Sequence, residues 1–441
     1  MVALCRKIVS HLDLRVFVSL DRDVKLLFMQ RLVRMFAFGG SSLVQLLFLS
    51  ELGNRDEKIG LFMSATLFGD VVLSLLTSMI ADSVGRRHML TLGALLMASS
   101  GVIFALCSNY WLLLAASIIG VISPSGGDVG PFKAIEESAM AQLLPGEELN
   151  MVLAWYYMLG SWGAAIGTVT MGWLVQALKD RAWLTVDAYR VVFYVYAAQG
   201  LLKFILSLLL SQKCEDSAAA TEPITDEEGI DNERTPLLPG YERAKPRMAT
   251  ISTDTRYFVA KFCSILVLDN IGSGLAANSW LTYIIDRKFA ISAGLLGTIF
   301  SSSHFLASLS NVLAVPIVRR MGLIKTMFFG HAIASTALLL LPFPEVLTGT
   351  VVLLFVRSTF LDFDQAPRQT FLSQSVQPEE RTAIMGIVNT VRTLSQGMGL
   401  GMAGYLGDWN YLDLAPTLAG GLKLVYDVLL LILFVDFPST G

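Results

Sequence analysis

Seven ionisable side chains interrupt long apolar runs of this chain: Asp70, Asp128, Asp269, Arg357, Asp362, Asp364 and Arg392. At the centre of a hydrocarbon layer each costs about 2.5–3.5 kcal/mol on insertion scales, so each needs a partner or a task. Arg357 and Asp364 stand seven residues apart, two turns along one helical face, with Leu361 and Arg368 on the same stripe. A guanidinium and a carboxylate facing one space either exchange a proton, hold a polar group of a substrate, or form a permanent ion pair. Asp128 follows Ser123-Pro124-Ser125-Gly126-Gly127, which removes a backbone donor and lets a helix bend or unwind, or simply fixes a packing kink. Asp269 opens the run Asp269-Asn270-Ile271-Gly272-Ser273-Gly274. Small residues suit close helix packing or a cavity wall, but packing does not account for the carboxylate.

The elements that must carry these charges are membrane helices. Hydrophobic residues make up 54% of the chain and charged ones 16%, against about 25% charged in a soluble domain. A span needs about 20 apolar residues. Spans are expected near 26–50, 59–81, 89–107, 110–135, 150–177, 188–211, 256–284, 291–315, 324–342, 346–372, 381–406 and 418–436. Lys and Arg in short loops set the orientation. Arg22, Lys25, Arg31, Arg86, Arg87, Arg319, Arg320, Lys325 and Arg381 outnumber Arg55, Lys58, Lys179, Arg181, Arg287 and Lys288 on the other side, so both termini are expected in the cytoplasm. The N-terminus lacks a cleavable signal pattern, and the first span is expected to direct insertion.

Residues 212–255 form the one long polar segment, acidic at first and basic later, with Pro223, Pro236, Pro239 and Pro246. Such a stretch is expected to be a disordered loop. It divides the chain into spans one to six (1–211) and seven to twelve (256–441). Within it, Glu233-Arg234-Thr235-Pro236-Leu237-Leu238 matches an acidic dileucine signal, with Glu233, Leu237 and Leu238 as its reading points. The pattern suggests a sorting adaptor as partner and a vacuolar or endosomal membrane, with the plasma membrane as the alternative. Cys5, Cys107, Cys214 and Cys263 show neither disulfide nor metal spacing. No nucleophile–base pattern, metal cluster or phosphate-binding loop is visible, so no enzyme, cofactor or metal is expected. A net charge of -3 gives no reason to expect nucleic acid.

After the second span comes Asp82-Ser83-Val84-Gly85-Arg86-Arg87-His88. It resembles the signature loop of the major facilitator superfamily, G-x-x-x-D-x-x-G-R-R/K, with Ser78 in place of the first Gly. Repeats support the likeness. Asp128-Val129-Gly130-Pro131 and Asp364-Gln365-Ala366-Pro367 end spans four and ten and are followed by Glu147-Glu148 and Glu379-Glu380. Arg319-Arg320-Met321-Gly322 looks like an Asp-less copy of the loop. Asp364–Gln369, Pro378–Arg381 and Asn389–Arg392 resemble one branch of facilitator transporters of undefined substrate.

The resemblance implies an all-α membrane protein with twelve transmembrane helices in two pseudo-symmetric six-helix bundles. Spans 1, 4, 7 and 10 then line a central cavity, which favours Asp128, Asp269, Arg357 and Asp364 for the substrate or proton path. Spans 2 and 11 face each other, making Asp70 and Arg392 an inter-domain pair, either a switch or a clamp. Asp82 is expected at the positive N-terminus of span 11, near Arg381-Thr382. Gly85 forms the turn, and Arg86 and Arg87 latch the cytoplasmic gate. Lys203 and Asp427, outside the cavity, read as snorkelling or locally paired. Lys133, Glu136 and Glu137 read as a solvated helix extension, and His304 as a hydrogen-bonded helix residue or a proton shuttle. Two departures concern direction: Ala116-Ser117-Ile118-Ile119-Gly120 lacks the antiporters' Arg-x-x-Gln-Gly, and the stripe Gly160, Gly163, Gly167, Gly172 lacks their Gly-Pro motif. The expectation is a monomeric secondary transporter in the lipid bilayer that moves a small organic molecule by proton-coupled efflux or antiport. Uptake of a sugar or organic ion is the alternative. A sensor or scaffold usually carries a long tail, whereas this sequence stops at Pro438-Ser439-Thr440-Gly441.

Overall fold

The computed structural model describes residues 20–120, 122, 131–144, 146–214, 252–361, 363–377 and 380–434. Asp128, Asp362 and the Glu233–Leu238 motif lie outside the described residues, as does most of the central loop. The described residues form α-helices and one short 3-10 turn, with no strand. In chain order the helices are α1 (Arg22–Glu51), α2 (Asp56–Val84), α3 (Arg86–Leu106), α4 (Tyr110–Ile119), α5 (Pro131–Leu143), α6 (Gly146–Lys179), α7 (Thr185–Leu208), α8 (Thr253–Leu275), α9 (Asn278–Phe289), α10 (Ala293–Met321), α11 (Leu323–Leu340), α12 (Leu347–Phe360), α13 (Gln365–Ser375), α14 (Arg381–Asp408) and α15 (Leu414–Phe434).

Eight of these helices are long and apolar enough to cross a membrane by length and composition. Helices satisfy their own backbone groups, which hydrocarbon requires, and Leu201, Leu202, Ile205 and Ile432 stand exposed on faces suited to lipid. Spans 4, 7 and 10 are each two helices: α4 with α5, α8 with α9, and α12 with α13. The expected spans near 256–284 and 346–372 are thus each interrupted. Gly272, Ser273 and Gly274 weaken the end of α8, and the chain leaves the helix at Ala276 and Ala277 before α9 begins. Polar groups cap the other ends: Asn109 Oδ1 accepts the Trp111 and Leu112 amides, and Ser252 Oγ accepts that of Thr255.

The two sets of six spans repeat one packing scheme. In the first, α1 packs on α6 and α7, and α3 on α7; in the second, α8 packs on α14 and α15, and α11 on α15. Glycines permit these approaches. A Cβ at Gly167 would lie 2.0 Å from Phe36 O, and one at Gly399 would lie 2.1 Å from Ile271 O. The repeat extends to the turns before α3 and α11. Gly85 has φ 96° and Gly322 φ 82°, a left-handed backbone that favours glycine. The span ends opposite these two turns are called distal below.

Three helix pairs join the two halves: α2 with α14, α6 with α10, and α1 with α9. Gly60 abuts Gly404, and Gly172 abuts Gly297, backbone against backbone. The Ser64 hydroxyl donates to Gly397 O at 2.7 Å, and the Trp173 indole donates to Thr298 Oγ1 at 3.1 Å.

Candidate functional site

Four spans of the second half deliver charge to one point. Asp269 lies on α8 two turns before the break, 3% exposed. Its Oδ1 accepts from Lys423 Nζ of α15 at 2.6 Å and lies 3.3 Å from His331 Nε2 of α11. Its Oδ2 accepts from Arg368 of α13 at 3.3 Å. Arg368 also stands 3.5 Å from Asp364 Oδ2, one turn earlier. His331 turns its other nitrogen, Nδ1, to Asp427 Oδ1 at 2.6 Å. The Lys423 ammonium donates to Ser273 Oγ at 2.7 Å, and the Tyr426 ring meets His331 edge-on, centroids 5.6 Å apart. Gly272 makes room for α15, since a Cβ there would sit 2.9 Å from Ala419 O. Multiple charge-assisted bonds offset the cost of burying these ions.

Asp269 and Asp364 thus share a network, through Arg368. Arg357 is placed elsewhere. Its Nη2 donates to Ala276 O at 3.2 Å and its Nη1 to Asn278 Oδ1 at 3.3 Å, so it satisfies backbone and side chain where span 7 is unwound. The expected Arg357–Asp364 stripe is corrected because α12 ends at Phe360 and α13 begins at Gln365, which breaks the two-turn register. Asp427 is locally paired, with His331. His331 and Lys423 did not stand out as candidates in the sequence; the i,i+4 spacings His331–Ser335 and Lys423–Asp427 were the available signal.

The first half buries a second cluster. Glu136 of α5, with 0% exposure, accepts from Arg34 Nη2 of α1 at 2.9 Å, from Lys203 Nζ of α7 at 2.8 Å, and from the Tyr156 hydroxyl of α6. The Phe132 ring lies 3.8 Å from Lys203 Nζ, and Arg31 stacks over Tyr156 at 4.8 Å. The reading of Glu136 as part of a solvated extension is corrected. Lys203 is fully buried and locally paired rather than snorkelling. Lys133 and Glu137, at intermediate exposure, turn to Tyr157 instead. His304 of α10 is half-buried, within electrostatic reach of Arg357.

Asp70 of α2 is fully buried and within electrostatic reach of Tyr196 of α7, while Arg392 of α14 is half-buried. The antiparallel α2–α14 contact pairs Gly60 with Gly404 and Phe68 with Gly397, a register that carries Asp70 to the level of Arg392. At the signature turn, Arg86 donates to Gln142 Oε1 of α5 and Arg87 Nη2 to Leu208 O of α7 at 2.6 Å. Both bonds stay within the first half.

The distal ends carry a polar seal between the halves. Asp56 Oδ1 accepts from the Tyr283 hydroxyl and Oδ2 from Arg287 Nη1, each at 2.9 Å. Arg55 forks onto Asp408 at 3.0 and 3.1 Å. A recess of about 670 Å³ opens there, lined among others by Glu51, Arg55, Asp56, Lys179, Arg287 and Asp408. Neither Asp269 nor His331 lines it, so the titratable network lies apart from this recess.

The chain matches the family model of the Major Facilitator Superfamily over residues 26–268 and again over 257–440. It is 31% identical over 431 residues, 96% of each chain, to an uncharacterized membrane protein of Saccharomyces cerevisiae. It is 20% identical to the quinolone resistance protein NorA of Staphylococcus aureus over 388 residues, covering 85% of this chain and 88% of that one. Among solved structures, a bacterial homologue of the human lysosomal transporter Spinster, in an inward-facing and occupied conformation, superposes with a TM-score of 0.71 at 12% identity, covering 96% of this chain and 97% of the other. Two copies of one six-span packing scheme, a glycine turn at the same place in each, and a family match over both halves agree. The chain belongs to the major facilitator superfamily and is a membrane transporter of small molecules rather than an enzyme.

Proposed function

We propose that this protein is a secondary active transporter that exports a small organic molecule in exchange for protons, by alternating access. The observation that carries the reading is Asp269, a buried carboxylate of a cavity-lining span that gathers Lys423, His331 and Arg368 from three other spans. Such intramembrane ionisable groups mark ion and substrate pathways. Asp364 shares Arg368, and Arg357 binds the Ala276 carbonyl at the unwound turn of span 7, where a broken helix suits a polar substrate group. Asp128 completes the candidate path from span 4. Export is favoured by likeness to a quinolone resistance protein.

The distal seal supports a state closed distally. In this reading Asp82, Gly85, Arg86 and Arg87 close the cytoplasmic side in the opposite state, and Asp70 with Arg392 switches between states. Both termini are cytoplasmic, the chain acts as a monomer in the bilayer, and Glu233, Leu237 and Leu238 offer a sorting adaptor a signal for a vacuolar or endosomal membrane.

The test is flux in proteoliposomes with and without an imposed pH gradient, probed with a quinolone and with metabolites that accumulate in cells lacking the protein. Asp269→Asn and Asp364→Asn should each abolish the gradient-driven component. Unchanged gradient-driven flux in both variants overturns the proton path.

A further inference from the structure

We infer that Asp269, His331 and Asp427 form a triad that stores the coupling proton, with the imidazole of His331 as its carrier. This rests on the proton coupling proposed above. A carboxylate ion only accepts hydrogen bonds, and a neutral imidazole has one N–H. His331 presents Nδ1 to Asp427 Oδ1 at 2.6 Å and Nε2 to Asp269 Oδ1 at 3.3 Å, so both ring nitrogens face an acceptor. The arrangement is satisfied when one proton beyond the neutral imidazole is present, which makes the ring an imidazolium.

Charge balance among the surrounding groups gives the same answer. The network contains three carboxylates, Asp269, Asp364 and Asp427, and two cations besides the histidine, Lys423 and Arg368. With His331 protonated these charges cancel; with it neutral, one negative charge is left in a site whose members are 0–6% exposed apart from Arg368. Burying an unbalanced charge is costly. The other polar groups facing the ring, the Ser335 hydroxyl at 3.5 Å and the Tyr426 ring, carry no charge to supply the balance. Arg357 is engaged at Ala276 and Asn278.

The release route is built into the same atoms. Lys423 Nζ and His331 Nε2 compete for Asp269 Oδ1, and the lysine is the closer. When the imidazolium gives its proton to water, yielding imidazole and hydronium, Lys423 retains Asp269. Asp427 keeps the one remaining N–H, at Nδ1. Asp269 stands seven residues before the Ala276 carbonyl that Arg357 holds, so a change of partner at Asp269 is felt along α8 at the unwound turn of the cavity.

The test is nitrogen-15 magnetic resonance of histidine-labelled full-length protein in lipid nanodiscs. The sequence has four histidines, and His331→Gln identifies the signal by its loss. At pH 7 His331 should show both ring nitrogens protonated. Asp427→Asn removes one acceptor and one negative charge, and should lower the pH at which the ring loses its proton by at least about one unit, a tenfold loss of proton affinity. Should His331→Gln fail to fold, the Asp427→Asn and Asp269→Asn spectra still report the shift. A neutral His331 at pH 7, or an imidazolium indifferent to both aspartate changes, overturns the triad. The two readings fail separately. Flux that ignores a pH gradient while the imidazolium persists removes proton coupling; gradient-driven flux with a neutral His331 removes the triad alone.

Discussion

When Glu136 is replaced by glutamine, Arg34 and Lys203 lose the carboxylate they share. Both oxygens are in use: Oε1 takes Lys203, and Oε2 takes Arg34 and the Tyr156 hydroxyl. Glutamine keeps one acceptor and points an NH2 group at a cation or hydroxyl. Lys203 can escape by losing its proton, but a guanidinium cannot. One charge, that of Arg34 at 8% exposure, is therefore stranded. Removing one partner of a buried pair costs about 3–5 kcal/mol. The Phe132 ring under both cations is present before and after the change, so it does not offset the loss. Asp427→Asn is the control. His331 can discharge, so that change should cost about 1 kcal/mol, the size of one lost hydrogen bond. The assay is unfolding of purified protein in mixed micelles, followed by reaction of the buried Cys214 thiol, 1% exposed. Adding Arg34→Met to Glu136→Gln should recover most of the loss, since apolar replacement of a whole pair is often neutral. A Glu136→Gln penalty below about 1 kcal/mol, or no recovery in the double variant, would refute the reasoning.

Asp56→Asn should weaken the distal seal by about 1 kcal/mol, because the Arg287 partner is half exposed, and so raise the distal-open population about fivefold. Spin-label distances between the distal ends of α2 and α9 read this; an unchanged distribution counts against the seal. Glu380 is hydrogen-bonded by the Thr255 hydroxyl and by the Ser252 amide at 2.6 Å, which holds its carboxyl below the usual glutamate range. Its folded value lies under its unfolded one, so the stability it contributes is in place above the ordinary glutamate range and lost as pH falls through the lowered value. Thermal stability of wild type and Glu380→Gln should therefore differ at pH 7 and converge in acid; parallel curves down to acid pH would show that the contact carries no linkage.

Hydropathy was enough to read the helical spans and the two halves, because length and apolarity are properties of each segment alone. The Gly85 turn and its partner at Gly322 were legible for the same reason, since a left-handed residue between two spans asks for glycine. Partners across spans were not. Periodicity assigns a residue to a face, and says nothing of which helix lies opposite. Glu136 was hidden by its neighbours: Lys133 and Glu137 make the segment look solvated, yet Glu136 lies about 100° around the helix from Glu137 and faces inward. The Arg357–Asp364 spacing misled because it assumes an unbroken helix across residues 361–364. For Asp269 the sequence identified the residue and the structure supplied its three partners, from α11, α13 and α15.

The backbone contact of Gly60 with Gly404 has a mechanical consequence. Gly60 stands four residues from the start of α2 at Asp56 and 24 from its end at Val84. At 1.5 Å per residue the two arms measure about 6 Å and about 36 Å. A rigid helix pivoting at that crossing is a lever of unequal arms, with an advantage of about six. A displacement of about 2 Å at Asp56, enough to part it from Tyr283 and Arg287, sweeps the signature turn through about 12 Å. In such a pivot, small motions at one face of the membrane would be geared into large ones at the other.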